Sequence, residues 1–229
     1  MSTLSNIEEK IFAEKTGGIE IDQGKALANV RVLDLLREAC LIESFFPVYI
    51  SKVMELFWYD LEATAMFSTE GYEAYVHYMV LRRYLDIIGY KPIKDEEVVK
   101  VREQNKDEVF DDTISELVNF MATEHFASNF FKDLSQETNE PALNHMLIGF
   151  SAEEVVHAQF AFDLLKKELD QDETARIKIL QSAKRFKHIG EYVFPSVSPA
   201  KEDNIKVIQS FNKRIEKLLG QSLSDSLAE

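Results

Sequence analysis

Four long stretches of this sequence carry an apolar face of helical period, and acidic residues stand in the middle of each face. In the last of them Leu147, Phe150, Glu154, His157, Ala161 and Leu164 follow at three- and four-residue steps, so they share one side of a helix. An earlier stretch repeats the pattern with Leu117, Phe120, Glu124, Ala127 and Phe131. The first places Glu43 between Cys40 and Pro47, and the second offers Met66, Glu70, Glu73, His77, Val80 and Tyr84. A chain built this way folds into helices that turn their acids toward one another.

Composition agrees with long helices. The 229 residues include eight Gly and five Pro, about half the usual share, which argues against turn-rich β architectures and linkers. A net charge of −14 excludes a nucleic-acid-binding role, because phosphate contact needs a basic face. Cys40 is the one cysteine, so no internal disulfide forms and a reducing compartment is expected. Residues 1–15 alternate acids and bases without an apolar run, so no signal peptide is expected. No apolar run approaches the ~18 residues of a membrane span. The expected location is the cytoplasm.

The pattern predicts a polar N-terminal arm over residues 1–22, one helical domain over 23–220 and a flexible tail over 221–229. Within the domain, helices are expected over residues 24–57, with a kink or fresh start at Pro47, and over 60–88, stopped by Gly89. Residues 91–111 read as a connection with a short helix. Further helices are expected over 112–134 with Asp112 as cap, over 141–169 with Pro141 in the first turn, over 173–194 ended by Pro195 and Pro199, and over 201–219.

The inward acids carry the chemistry. One acid on an apolar face is ordinary, through partial exposure or a Lys partner. Four of them with two histidines are not, since each buried carboxylate costs several kcal/mol without compensation. Protonation is one compensation. Two divalent cations are a better one, because they neutralise four glutamates, and Glu-x-x-His in a four-helix bundle presents both side chains to such a pair. The interval of 30 residues from Glu43 to Glu73 recurs from Glu124 to Glu154, as though two helix pairs supply two halves of one site. The second half has Glu154 and His157 three residues apart. In the first half Glu73 and His77 are one residue too far apart. Either a π-bulge absorbs the extra residue, or Glu70 is the ligand and Glu73 its supporting partner.

These residues make the chain resemble the ferritin-like di-iron carboxylate superfamily, most of all the acyl-[acyl-carrier-protein] desaturases. The likeness spans residues 43–219 and is strongest at Ser151-Ala152-Glu153-Glu154-Val155-Val156-His157 and Glu43-Ser44-Phe45-Phe46-Pro47, with Arg83-Tyr84-Leu85 and the Pro195 region in support. It implies an all-α, ferritin-like four-helix bundle with additional flanking helices. It implies metal ligands at Glu43, His77, Glu124, Glu154 and His157, with Glu153 orienting a histidine. Ala74 stands where the family has its glutamate, which leaves Glu70 or Glu73 to substitute. The implied cofactor is two iron ions, with manganese as the alternative.

The implied activity is that of an O2-activating, desaturase-like oxidase or oxygenase, with an external electron donor and an apolar or acyl-type small-molecule substrate. An N-oxygenase of an amine and a non-catalytic metal-binding bundle are the alternatives. A homodimer is compatible with the resemblance, nucleic acid and a membrane span are not expected, and the −14 charge weighs against docking on an acidic carrier protein.

Overall fold

The computed structural model describes residues 3–110, 112–194, 197 and 205–223. Among them the secondary structure is helical, with no strand: α1 (Thr3–Lys15), α2 (Gln23–Leu27), α3 (Val30–Leu56), α4 (Leu61–Ile88), α5 (Asp95–Gln104), α6 (Thr113–Glu137), α7 (Pro141–Gln171), α8 (Ala175–Ala183), a 3-10 helix (Ile189–Tyr192) and α9 (Ile205–Leu219). The all-α bundle expected from the periodicity is what forms. Its long helices begin and end on local chemistry. Asp60 accepts from the backbone of Glu62 and Ala63, and Asp112 from Ser115, which satisfies free first-turn amides. Gly89 closes α4 in the left-handed region at φ 70°, where a side chain would be strained.

α3 and α4 form one antiparallel pair, α6 and α7 the other. The pairs pack α4 on α7 and α3 on α6. At one end Lys167 reaches Asp60 at 2.9 Å, and at the other the Tyr84 hydroxyl donates to Glu140 at 3.2 Å, so α4 and α7 run antiparallel. Arg31 with Glu137, and Tyr49 with Glu116, fix α3 against α6 in the same sense. Going from α4 to α6 therefore requires a crossover along the whole bundle, and residues 89–110 run beside α3. Lys91 pairs with Asp34, Arg37 with Glu97, Arg102 donates to the Ser44 carbonyl, and Lys52 donates to the carbonyls of Asn105, Lys106 and Glu108.

Several expectations change. Residues 24–57 are two helices, because Asn29 breaks the run: its Oδ1 accepts from Val32 N while its Nδ2 donates to the Glu137 carbonyl. The fresh start at Pro47 does not occur; α3 is helical on both sides of it. The stretch read as a polar arm contains α1, which lies across α4 and α7. Glu8 accepts from the Tyr75 hydroxyl, Glu9 pairs with Arg83, and Lys15 pairs with Glu153.

The helix expected over 173–194 also stops early, at Ala183. Side chains of α6 capture the backbone that follows: Asn119 Oδ1 accepts from Lys187 N and Thr123 Oγ1 from Ile189 N, both at 2.9 Å. Gly190 leaves room for the His188 ring, since a Cβ there would stand 2.9 Å from His188 Nδ1. Pro195, Pro199, residues 201–204 and the tail over 224–229 lie outside the described residues.

His188 starts the 3-10 helix as a reciprocal cap. Its Nδ1 accepts from Gly190 N, while its own N–H donates to Glu191. Only a neutral imidazole can accept in this way, and burial pushes its pKa down to about 4. In the unfolded chain it titrates near 6.5. Stability is therefore complete above about pH 6.5 and is lost as pH falls toward 4, by about 2 kcal/mol at pH 5. Urea midpoints at pH 7.5 and 5 check this. His188→Asn, which keeps an acceptor without a titrating group, shows a correspondingly smaller drop.

Candidate metal centre

The seams bring their acids together at mid-bundle. Glu43 comes from α3, Glu70 and His77 from α4, Glu124 from α6, and Glu154 and His157 from α7; none is more than 6% exposed. Their side-chain oxygens and nitrogens converge in two groups, Glu70–Glu124–Glu154–His157 and Glu43–His77–Glu154, each with its atoms within 4.8 Å of one another. Glu154 belongs to both. Its Oε1 lies 3.1 Å from His77 Nδ1 and its Oε2 lies 2.8 Å from His157 Nδ1. Glu70 Oε2 is 2.6 Å from His157 Nδ1, and Glu43 Oε2 is 3.8 Å from His77 Nδ1.

Each histidine turns its other nitrogen to an acid outside the cluster. His77 Nε2 is 2.9 Å from Glu153 Oε2, and His157 Nε2 is hydrogen-bonded to Glu73. A proton held at Nε2 by these carboxylates leaves Nδ1 as the atom aimed inward. Glu153 thus lies against His77, and Glu73 falls outside the converging set. No π-bulge corrects its register, since α4 is α-helical from Leu61 to Ile88. Ala74 supplies no carboxylate, so Glu70 does so from one turn further along. The matching place on α7 is Phe150, whose ring lies 4.0 Å from that of His77.

The charges explain why these positions are unusual for a core. Burial pushes Glu43 up to about 7 and raises Glu70. Burial raises Glu124 well above the carboxylate range, helped by the negative charges of Glu70 and Glu154. Burial works against charge on the imidazoles too. Yet the charge of Glu154 and hydrogen bonds to its neighbours raise His77, and hydrogen bonds to Glu154 and Glu70 lift His157 to about 11. Against its own burial, Glu154 is held low by the His77 charge and the His157 hydrogen bond. Without a metal ion, protons hold the cluster together. No Lys or Arg among the described residues pairs with any of its four acids. Glu124 Oε1 is buried without a hydrogen bond, at a cost of about 1–3 kcal/mol, while Glu70 Oε2 and His77 Nδ1 are held by close contacts with His157 and Glu154. These residues fit a metal ion: a cation among Glu70, Glu124, Glu154 and His157 would give Glu124 Oε1 the partner it lacks.

No family model matches the chain, and no curated protein or solved structure does. The chemistry of the site therefore rests on its own residues. The remaining histidines lie elsewhere. His125 packs on α9, with Nε2 2.7 Å from Ser210 Oγ, and the His145 ring lies against Gly17. Cys40, one turn before Glu43, is buried with its thiol on the Tyr78 carbonyl. Lys15 is the residue at the site that periodicity missed. It lies 138 residues from its partner Glu153 in a segment with no seam, so nothing local signals the pairing.

Proposed function

We propose that the chain is a ferritin-like di-metal oxidoreductase, in which Glu43, Glu70, Glu124, Glu154, His77 and His157 hold two iron ions and O2 is reduced there to oxidise an apolar or acyl-type organic substrate. The observation that carries this reading is the pair of ligand groups sharing Glu154. The single long crossover between α4 and α6 also supports it, being the connection of ferritin-like bundles. Iron held by these residues would supply electrons for O2 reduction, with an external donor needed to restore them.

The protein's own part follows from its side chains. Glu154 offers one oxygen to each half and so fixes their separation. Glu153 and Glu73 keep a proton on the outer nitrogen of each histidine and hold the ring in place. Phe150 and Phe131 pack against His77, with centroids at 4.0 and 6.2 Å, and keep water from that side. Such exclusion strengthens every electrostatic interaction inside.

The test is O2 uptake by anaerobically iron-loaded protein. About one O2 consumed per iron pair, with two irons per chain, is the expected result for a dinuclear oxidase. Iron bound without O2 uptake points to a non-catalytic metal site, and many irons per chain point to storage. Product analysis with fatty-acyl and aryl-amine substrates separates the desaturase-like reaction from N-oxygenation.

A further inference from the structure

We propose that α1 makes the two halves of the centre unequal: a first divalent ion binds the Glu70–Glu124–Glu154–His157 half more tightly than a second binds the Glu43–His77–Glu154 half, and Lys15 sets part of the difference. This rests on the di-metal reading above. The first half offers four donor residues and the second three, with Glu154 common to both.

The support behind the two histidines differs as well. Glu73 and Glu153 each stand four residues before the histidine of their own helix, yet each grips the opposite one. Glu73 of α4 holds His157 of α7, and Glu153 of α7 holds His77 of α4. The two arrangements mirror one another except for one cation. Glu73 pairs with no Lys or Arg among the described residues, whereas Glu153 is ion-paired with Lys15. Lys15 also stands 5.9 Å over the ring of Phe150, which itself lies against His77.

A carboxylate that accepts the outer N–H of an imidazole strengthens the inner nitrogen as a donor. An ammonium group bound to that carboxylate draws on the same negative charge. His77 is therefore the weaker donor, and α1 is what weakens it. The helix is anchored independently through Glu8 on Tyr75 and Glu9 on Arg83, so its lysine is held in place on Glu153. In this reading Lys15 is a positioning residue acting through Glu153.

Anaerobic titration with Co(II), followed by its d–d absorption and by calorimetry, tests the proposal. The wild-type protein is expected to bind in two steps, the first at least about tenfold tighter. Lys15→Met tightens the second step by up to about tenfold and leaves the first in place, while Lys15→Arg keeps the wild-type separation. Glu73→Gln weakens the first step by about 10–100-fold and Glu153→Gln the second. Two equal steps in the wild type overturn the inference, as does a Lys15→Met protein of unchanged circular dichroism whose second step is unaltered or weaker. If Lys15→Met disturbs the fold, the two glutamine variants decide: weakening of the same step by both overturns it. No cobalt bound, or one ion per chain, overturns the di-metal reading itself.

Discussion

Loading the metal-free protein anaerobically with ferrous or manganous ions raises its melting temperature by roughly 8–16 °C. An ion present at a thousandfold its dissociation constant stabilises the folded chain by about 4 kcal/mol, and in a chain of this length each kcal/mol moves the midpoint by about 2–4 °C. The cause is local. The ions replace protons as the partners of Glu43, Glu70, Glu124 and both histidines, and give Glu124 Oε1 the partner it lacks. Because these ligands must shed protons to bind, the gain shrinks as pH falls: Glu43 titrates near 7 and Glu124 well above the usual carboxylate range, so metal affinity weakens below neutrality. Calorimetric scans at pH 8 and 6, with a chelator to reverse the shift, check both the size and the sign. A shift under about 2 °C at saturating metal is incompatible with a preformed site of this depth.

Replacing Glu154 by alanine abolishes binding of both ions, whereas changes on one side weaken one. Glu154 is common to both ligand groups, with an oxygen 3.1 Å from His77 Nδ1 and another 2.8 Å from His157 Nδ1. It is also the acid that stays ionised between two imidazoles whose pKa values it raises. Its loss leaves buried positive charge uncompensated, and lowers metal-free stability by about 3–5 kcal/mol. Glu124→Gln is the contrasting variant. Burial and the charges of Glu70 and Glu154 raise Glu124 well above the carboxylate range and favour its neutral form, so a neutral amide of the same shape changes metal-free stability by less than about 1 kcal/mol. Metal titrations and denaturant melts of the two variants separate the roles. Two ions retained by Glu154→Ala contradict the shared role assigned to it.

The helices and their inward faces were legible because burial imposes a period. Leu117, Phe120, Glu124 and Phe131 line one side of α6 as their spacing requires, and Asp60, Asp112, Pro141 and Gly89 mark the ends of long helices. What the sequence concealed depends on contacts between distant segments. The stop after α8 is made by Asn119 and Thr123, side chains more than sixty residues upstream. The docking of α1 depends on Glu8, Glu9 and Lys15 finding Tyr75, Arg83 and Glu153. The equal intervals from Glu43 to Glu73 and from Glu124 to Glu154 suggested that Glu73 corresponds to Glu154. Counting back from each histidine gives a different correspondence, Glu73 with Glu153, and the side chains follow that one, both lying behind an imidazole. Glu70, two turns before His77, then supplies the carboxylate that Ala74 lacks.

Elemental analysis of protein purified with iron available, and again after anaerobic reconstitution, bears most directly on the central claim. Two iron or manganese ions per chain, lost together in Glu154→Ala, is the result expected from the proposed function. A wild-type chain that carries no metal after purification and takes up none on reconstitution contradicts it, and leaves the six inward residues as a buried network held together by protons alone.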